Sequence, residues 1–254
     1  MQTAAQHRPE CLHIVTVGAS ILTNCGWQKG QPLPRVRDLR AKLNAQPRKL
    51  SAELNALIPF LDRGQCTHVH LIATKTPESD RCLHVLQRFL QERRLQLTRA
   101  TIAGLFSPPA DAPTASQRFY NAMAAFRSAV LRISNRARAR GQRVLINATG
   151  GLKAEVAFAI LVAADLGIEA YYLHESMAEP VILPTRRPTP GDLDHLRRQR
   201  AARWKPVLSE CTLERLAVEA LLTFNKRDDG RIGNVRVTDL AAFYLDTAPA
   251  TREE

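Results

Sequence analysis

The sequence predicts an α/β chain: a doubly wound, mostly parallel Rossmann-like sheet, followed by a small C-terminal helical or winged-helix-like unit. Three observations carry this. Short β-branched runs alternate with longer stretches whose apolar residues recur at helical spacing. Glycine, serine or threonine turns follow the ends of those runs. A proline- and arginine-rich stretch, 184–191, then separates them from a tail of different composition, so the expected domains are 1–185 and 186–254.

Leu12 to Val17 reads as the first strand, ended by Gly18. Ser20 follows, placed either to N-cap a helix or to meet a ligand. Trp27 to Pro47 lacks a sustained period and is expected to form a long loop over the site, with a short helix near Arg37 to Leu43. Ser51 to Leu61 is a helix with Leu54, Leu57, Ile58 and Leu61 on one face. Thr67 to Ala73 is the second strand, and His68 and His70 share one of its faces without an evident third ligand, which argues against a metal site.

Asp80 to Arg93 continues as a helix and Thr98 to Ala103 as a third strand, followed by a proline-rich breaker at Ser107 to Pro113. Ser116 to Arg140 is a long helix whose outer face carries Arg127, Arg132, Arg136, Arg138 and Arg140, the pattern of a solvated face. Val144 to Tyr172 then reads as strand, glycine turn, helix and strand, and Val181 to Leu183 as a short last strand. In the tail, Leu193 to Trp204 is a basic helix and Leu213 to Phe224 an amphipathic one. Asp228 to Gly230 is a turn, and Ile232 to Thr238 a strand.

A chain of 254 residues, 45% hydrophobic, is long enough for one well-buried core and a small appendage. Its net charge of +12, carried mostly by arginine, and pI of about 10.1 favour polyanionic partners, since the guanidinium fork matches phosphate oxygens. Five scattered cysteines without a Cys-x-x-Cys pair indicate neither a zinc site nor a disulfide framework. Met1 to Glu10 has no apolar core of a leader, and no window approaches a membrane span, so a cytoplasmic location and no membrane partner are expected.

The centre of the reading is Asn147-Ala-Thr-Gly-Gly-Leu-Lys153 between a strand and a helix. Gly150 and Gly151 let the backbone turn sharply and approach a ligand, and the free N–H groups opening the helix favour an anion. Lys153 in the first helical turn opposes the macrodipole and asks for an external negative partner. The spacing is neither Gly-x-x-x-x-Gly-Lys-Ser/Thr nor Gly-x-Gly-x-x-Gly, so this is not one of the common nucleotide fingerprints. The loops at Ser20, at Thr74 to Pro77 and at Asn147 to Lys153 all follow strand ends and are expected on one edge of the sheet.

Two pieces together, His13 to Asn24 (His-Ile-Val-Thr-Val-Gly-Ala-Ser-Ile-Leu-Thr-Asn) and Asn147 to Glu155 (Asn-Ala-Thr-Gly-Gly-Leu-Lys-Ala-Glu), resemble the CARF family, CRISPR-associated Rossmann-fold sensors of cyclic oligoadenylate. The resemblance covers roughly residues 12 to 185. It implies a homodimer holding the cyclic ligand, with cyclic tetra-adenylate favoured, across a two-fold axis that ring and dimer share. Many members carry a HEPN ribonuclease domain after the sensor, marked by Arg-x-x-x-x-His. After the sensor stretch no histidine has an arginine five residues before it, so the toxic output is expected to be absent.

What remains resembles a ring nuclease, which degrades its own ligand by attack of a ribose 2′-hydroxyl on the neighbouring phosphate without cofactor or metal. The resemblance implies that Lys153 stabilises the phosphorane or the departing oxygen and Ser20 orients the attacking ribose or phosphate. It also implies that Gly18, Ala19, Asn24, Asn147, Thr149, Gly150 and Gly151 hold the ligand, with Thr74 and Lys75 as further binding residues. Two other readings compete: a sensor or regulator that leaves the ring intact and contacts DNA through Arg186 to Lys205 and the C-terminal unit, and a sensor fragment parted from its effector.

Overall fold

In this computed structural model the described residues are 10–102, 114–151, 153–174, 176–185, 188–218 and 221–247. The chain divides into two compact units, Met1–Thr185 and Arg186–Glu254.

The first unit runs β1 (Cys11–Val17), α1 (Ser20–Asn24), α2 (Val36–Ala45), α3 (Pro47–Leu50), α4 (Ala52–Asp62), β2 (His68–Thr74), α5 (Pro77–Gln91) and β3 (Gln96–Ile102). It continues through α6 (Ala115–Arg138), β4 (Arg143–Asn147), α7 (Lys153–Asp165), β5 (Glu169–Tyr172) and β6 (Val181–Leu183). The six strands form one sheet in the order β3-β2-β1-β4-β5-β6, parallel except for β6. This is the mostly parallel, Rossmann-like sheet the alternation of elements predicts.

Strand β1 is buried at every residue because it sits mid-sheet with helices on both faces. Its side chains alternate. Val15 and Val17 join Leu39 and Leu43 of α2, Leu54 and Leu57 of α4, and Leu86 and Phe89 of α5 in one core. Leu12 and Ile14 join Met123, Phe126 and Val130 of α6 and Ala159, Val162 and Ala163 of α7 in the other. Caps fix several helix starts: Ser51 accepts from Leu54 N–H, Thr76 from Ser79 N–H and Thr114 from Gln117 N–H.

The short helix expected near Arg37 to Leu43 is α2, anchored in the core against α5 by Leu39 and Leu43. One alternative needs correction. Ser20 is not an N-cap; Ala19 is the cap residue of α1, and no side chain caps it. The expected breaker at Ser107 to Pro113 lies outside the described residues.

The second unit contains α8 (Pro190–Ala201), α9 (Glu210–Val218), β7 (Leu222–Lys226), β8 (Ile232–Val237) and α10 (Asp239–Thr247). Leu196, Leu213, Leu216, Leu222, Val235 and Ala241 form its core. The helix expected to reach Phe224 ends at Val218. Leu222 to Lys226 pairs instead with β8 as an antiparallel hairpin, because Thr223 and Phe224 favour an extended backbone and the Asp-Asp-Gly turn, with Gly230 at φ 80°, returns the chain. Helices with a hairpin wing are what the winged-helix-like expectation describes.

Candidate functional site

From β1 the chain builds outward through β2 to β3, and from β4 outward through β5, so the direction of winding reverses between the adjacent parallel strands β1 and β4. In an open sheet of this kind the crevice beyond the carboxyl ends of those two strands is where ligands bind. The loops there are Gly18 to Ser20 and Ala148 to Gly151, and they touch backbone to backbone. A Cβ on Gly18 would stand 3.0 Å from Gly151 Cα and 3.1 Å from its nitrogen. Thr16 ties the corner from below, its hydroxyl donating to the carbonyl of Gly150 at 2.6 Å.

One side chain fastens both loops. Glu53, in the first turn of α4, is 1% exposed. Its Oε1 accepts from Gly18 N–H at 3.0 Å, and its Oε2 accepts from Ser20 Oγ at 2.5 Å and Ser51 Oγ at 2.7 Å. Its backbone carbonyl accepts from Asn147 Nδ2 at 2.9 Å. Gly150 runs so close over this carboxyl that a Cβ there would fall 2.5 to 2.6 Å from Glu53 Cγ, Cδ and Oε1. Three donors on one buried carboxyl group are the satisfaction such a group needs. They also fix the first loop in one geometry.

The expected site residues separate into those at the crevice and those spent elsewhere. Gly18, Ala19 and Ser20 are half-buried at the end of β1, and Gly151 is exposed, at φ 109°. Lys153 opens α7 directly after this turn; its side chain lies outside the described ones. Thr149 is half-buried, and its Oγ1 accepts from Leu173 N–H at 3.1 Å. Asn147 is fully buried with both ends of its amide used, Oδ1 accepting from Thr149 N–H, so it shapes the turn rather than facing a ligand.

Asn24, at the far end of α1, gives its amide to the carbonyls of Lys49 and Leu50 at 3.4 and 3.3 Å and braces α3. Thr74, at the end of β2, exchanges a hydrogen bond with Ser79 Oγ at 2.8 Å. Lys75 beside it is exposed and has no acidic partner among the described residues.

Beneath these loops, between Thr16, Thr74, Met123, Phe126 and Glu155, the enclosed space is only about 20 Å³. A nucleotide cannot enter it. A ligand of that size would have to rest on the open side of the loops. His13, which opens the first motif in sequence, is fully buried between Tyr171 Oη at 3.0 Å and the Gln65 carbonyl at 3.1 Å, and burial pushes its pKa down to about 4. It is a core residue. Among the described residues no group of three or more His, Cys, Asp or Glu side chains could hold a metal ion.

Glu53, Ser51 and Thr16 were not legible as site residues. In sequence Glu53 is an ordinary acidic residue in a first helical turn, favourable to the helix dipole on its own account. The only hint in sequence is its spacing, which places a carboxyl group at i, i+4 and i+7 with Leu57 and Phe60, on the face the structure buries.

Among the solved structures that resemble the chain are the following two. Protein VC1899 from Vibrio cholerae shows 13% identity and a TM-score of 0.36, with 92% of this chain and 64% of that one covered. Can2 from Sulfobacillus thermosulfidooxidans, solved in complex with cyclic tetra-adenylate, shows 11% identity and a TM-score of 0.35, with 93% of this chain and 64% of that one covered. The chain thus spans 64% of the length of each. None of the curated proteins compared matches it. No helix among the described residues is long and apolar enough to cross a membrane. Residues 48–186, a little over half of the 254, match the family described as CRISPR-associated protein (Cas_APE2256), and the chain belongs to that family.

Proposed function

We propose that the chain binds cyclic oligoadenylate, cyclic tetra-adenylate above all, on the open side of the crevice between β1 and β4, and opens the ring. The observation that carries this reading is the contact of the Gly18 and Gly151 backbones at the switch point of a CRISPR-associated sheet, with Ser20 on one loop and Lys153 ending the other. A homodimer about a two-fold axis presents each loop twice to a ring of the same symmetry.

The chemistry is internal to the ligand. A ribose 2′-oxygen bonds to the adjacent phosphorus, the P–O5′ bond breaks, and the products are a 2′,3′-cyclic phosphate and a 5′-hydroxyl. Ser20 already gives its one hydrogen to Glu53, so it offers lone pairs to a ribose 2′-hydroxyl. As the 2′-oxygen attacks, its proton passes to Ser20 Oγ while the Ser20 proton passes to Glu53 Oε2. Lys153 stabilises the charge added to the phosphorane and delivers a proton to the departing 5′-oxygen.

The test is incubation of excess purified protein with radiolabelled cyclic tetra-adenylate in EDTA, followed by separation of the products. Linear di-adenylate ending in a 2′,3′-cyclic phosphate is expected, and Lys153→Ala is expected to abolish it. Tight binding with an intact ring after prolonged incubation leaves a sensor and removes the nuclease reading. Neither binding nor cleavage removes both.

A second reading, nucleic-acid contact by the second unit, is favoured by one observation. Trp204 is 51% exposed, with the Arg236 guanidinium 4.5 Å from its ring centroid, a cation–π pair of the kind that stacks bases. Salt-sensitive binding of a labelled oligonucleotide, lost in Trp204→Ala, is its measurement.

A further inference from the structure

Two sequence features that the crevice does not use, the His68 and His70 pair and the arginine-bearing face of α6, meet at the opposite end of the same sheet. Where β2 and β3 begin and α6 ends, a cavity of about 440 Å³ is lined by His68, His70, Arg99, Arg136, Arg140 and Gln142, with Leu12, Leu97 and Ile133 among its apolar walls. That volume lies in the range of small-molecule sites.

Its polar lining is cationic and unneutralised. Arg99 turns away to α5 on the other face of the sheet, donating to Gln87 Oε1 at 3.1 Å, and among the described residues neither Arg136 nor Arg140 has an acidic partner. The nearest carboxyl group in this network, Glu10, accepts from Gln142 Nε2 at 2.8 Å, and the same nitrogen stands 3.3 Å from His68 Nε2. His70 is 4% exposed. Its Nδ1 meets Thr98 Oγ1 at 2.6 Å, but its Nε2 is buried with no hydrogen-bond partner. A buried polar atom left unpaired in a native fold calls for an explanation, and a bound group is one. Burial pushes the His70 pKa down to about 4, so at neutral pH its ring is uncharged and the positive charge of the cavity comes from the guanidiniums. With two histidines and no third ligand, the lining suits an anion and not a metal.

We propose that this cavity binds a phosphorylated small molecule, its phosphoryl oxygens held between Arg136 and Arg140 and its apolar body against Leu12 and Ile133. Guanidiniums are the side chains best matched to phosphoryl oxygens, and the apolar wall distinguishes an organic phosphate from a bare one. The proposal is independent of ring opening, because the two sites occupy opposite ends of the strands.

The experiment is isothermal titration of the full chain at low salt with ADP and, separately, with inorganic pyrophosphate, alongside NMR of the histidine rings. Binding of ADP is expected to be tighter than that of pyrophosphate and to move the His70 resonances. The double variant Arg136→Gln/Arg140→Gln, two exposed positions in the last turn of α6 and just past its end, is expected to keep its thermal midpoint and weaken ADP binding by roughly ten-fold or more. No binding of either probe, or ADP binding undiminished in the double variant, would overturn the site. Equal affinity for pyrophosphate and ADP would overturn the role given to the apolar wall.

Discussion

Ser20 Oγ donates to Glu53 Oε2 across 2.5 Å, joining the loop after the first strand to a carboxyl group buried in the first turn of α4. The pair explains why a serine stands at the end of that loop without capping its helix. It also makes the two residues one functional unit. If Ser20 passes a proton to Glu53 during ring opening, then Ser20→Ala and Glu53→Gln each lower the cleavage rate by roughly 10² to 10³-fold, and the double variant is no slower than the worse single one. Single-turnover assays on all three variants check this. Multiplying losses would show that the two side chains act separately.

Glu53→Gln also has an expected structural cost. It replaces one acceptor with an N–H₂ group facing Gly18 N–H or two hydroxyl groups, so at least one buried donor loses its partner, at about 1 to 3 kcal/mol. A urea midpoint shift of that size, with the binding of ligand weakened in step, is the result to look for.

Gly150→Ala tests the close passage from the other side. The added methyl would fall 2.5 Å from Glu53 Cγ, and neither the backbone of the turn nor the buried carboxyl has room to retreat. Overpacking of this kind costs about 1 to 3 kcal/mol. Because the clash is with one side chain, Glu53→Ala in the same chain is expected to recover part of the loss, and a double-mutant cycle measured by denaturation gives the coupling directly.

How much of this could be read from residues alone differs by kind of signal. The parallel sheet was legible because β1, β2 and β4 are short apolar runs bounded by glycine or threonine turns, and such runs have one solution in an alternating chain. The crevice followed from where those runs end. Glu53 was not legible, since its role depends on α4 meeting a loop more than thirty residues earlier in the chain, and nothing local marks that contact. The helix assigned to Leu213 through Phe224 failed for a related reason: its apolar spacing continues past Val218, and only the pairing of Leu222 with Val237 across a distant turn decides for a strand. Asn24 and Asn147 are ligand contacts only by the family resemblance; in the structure backbone carbonyls of α3 and α4 take their amides.

Acid sensitivity follows from the buried imidazoles. His13 and His70 both have pKa values pushed down to about 4 by burial, against 6.5 ordinarily. Below about pH 6.5 the unfolded chain takes up protons that the folded one refuses until about pH 4, so the unfolded state binds more protons throughout that window. Stability is therefore full above about pH 6.5 and falls as pH drops towards 4, by up to about 3 kcal/mol for each histidine. Thermal midpoints from pH 7.5 to 4.5 should fall accordingly, and His13→Asn, if it folds, should show a shallower decline. A flat profile would mean that these rings are charged or open in the folded chain.

The thiols give the last expectation. Cys11 and Cys82 are buried, and burial pushes both up to about 12; it raises Cys66 as well, while half-buried Cys25 is raised less far. Cys211 is exposed. Since the thiolate is the reacting species, both access and ionisation oppose labelling of the three core cysteines. A chromogenic disulfide reagent at pH 8 should modify Cys211 first and Cys25 more slowly, and should reach Cys11, Cys66 and Cys82 only when denaturant opens the sheet. Because Cys11 and Cys66 flank the start of β1 and the approach to β2, their labelling rate also reports opening of the central strands themselves. Rapid labelling of either without denaturant would show that this end of the sheet opens readily in the native chain.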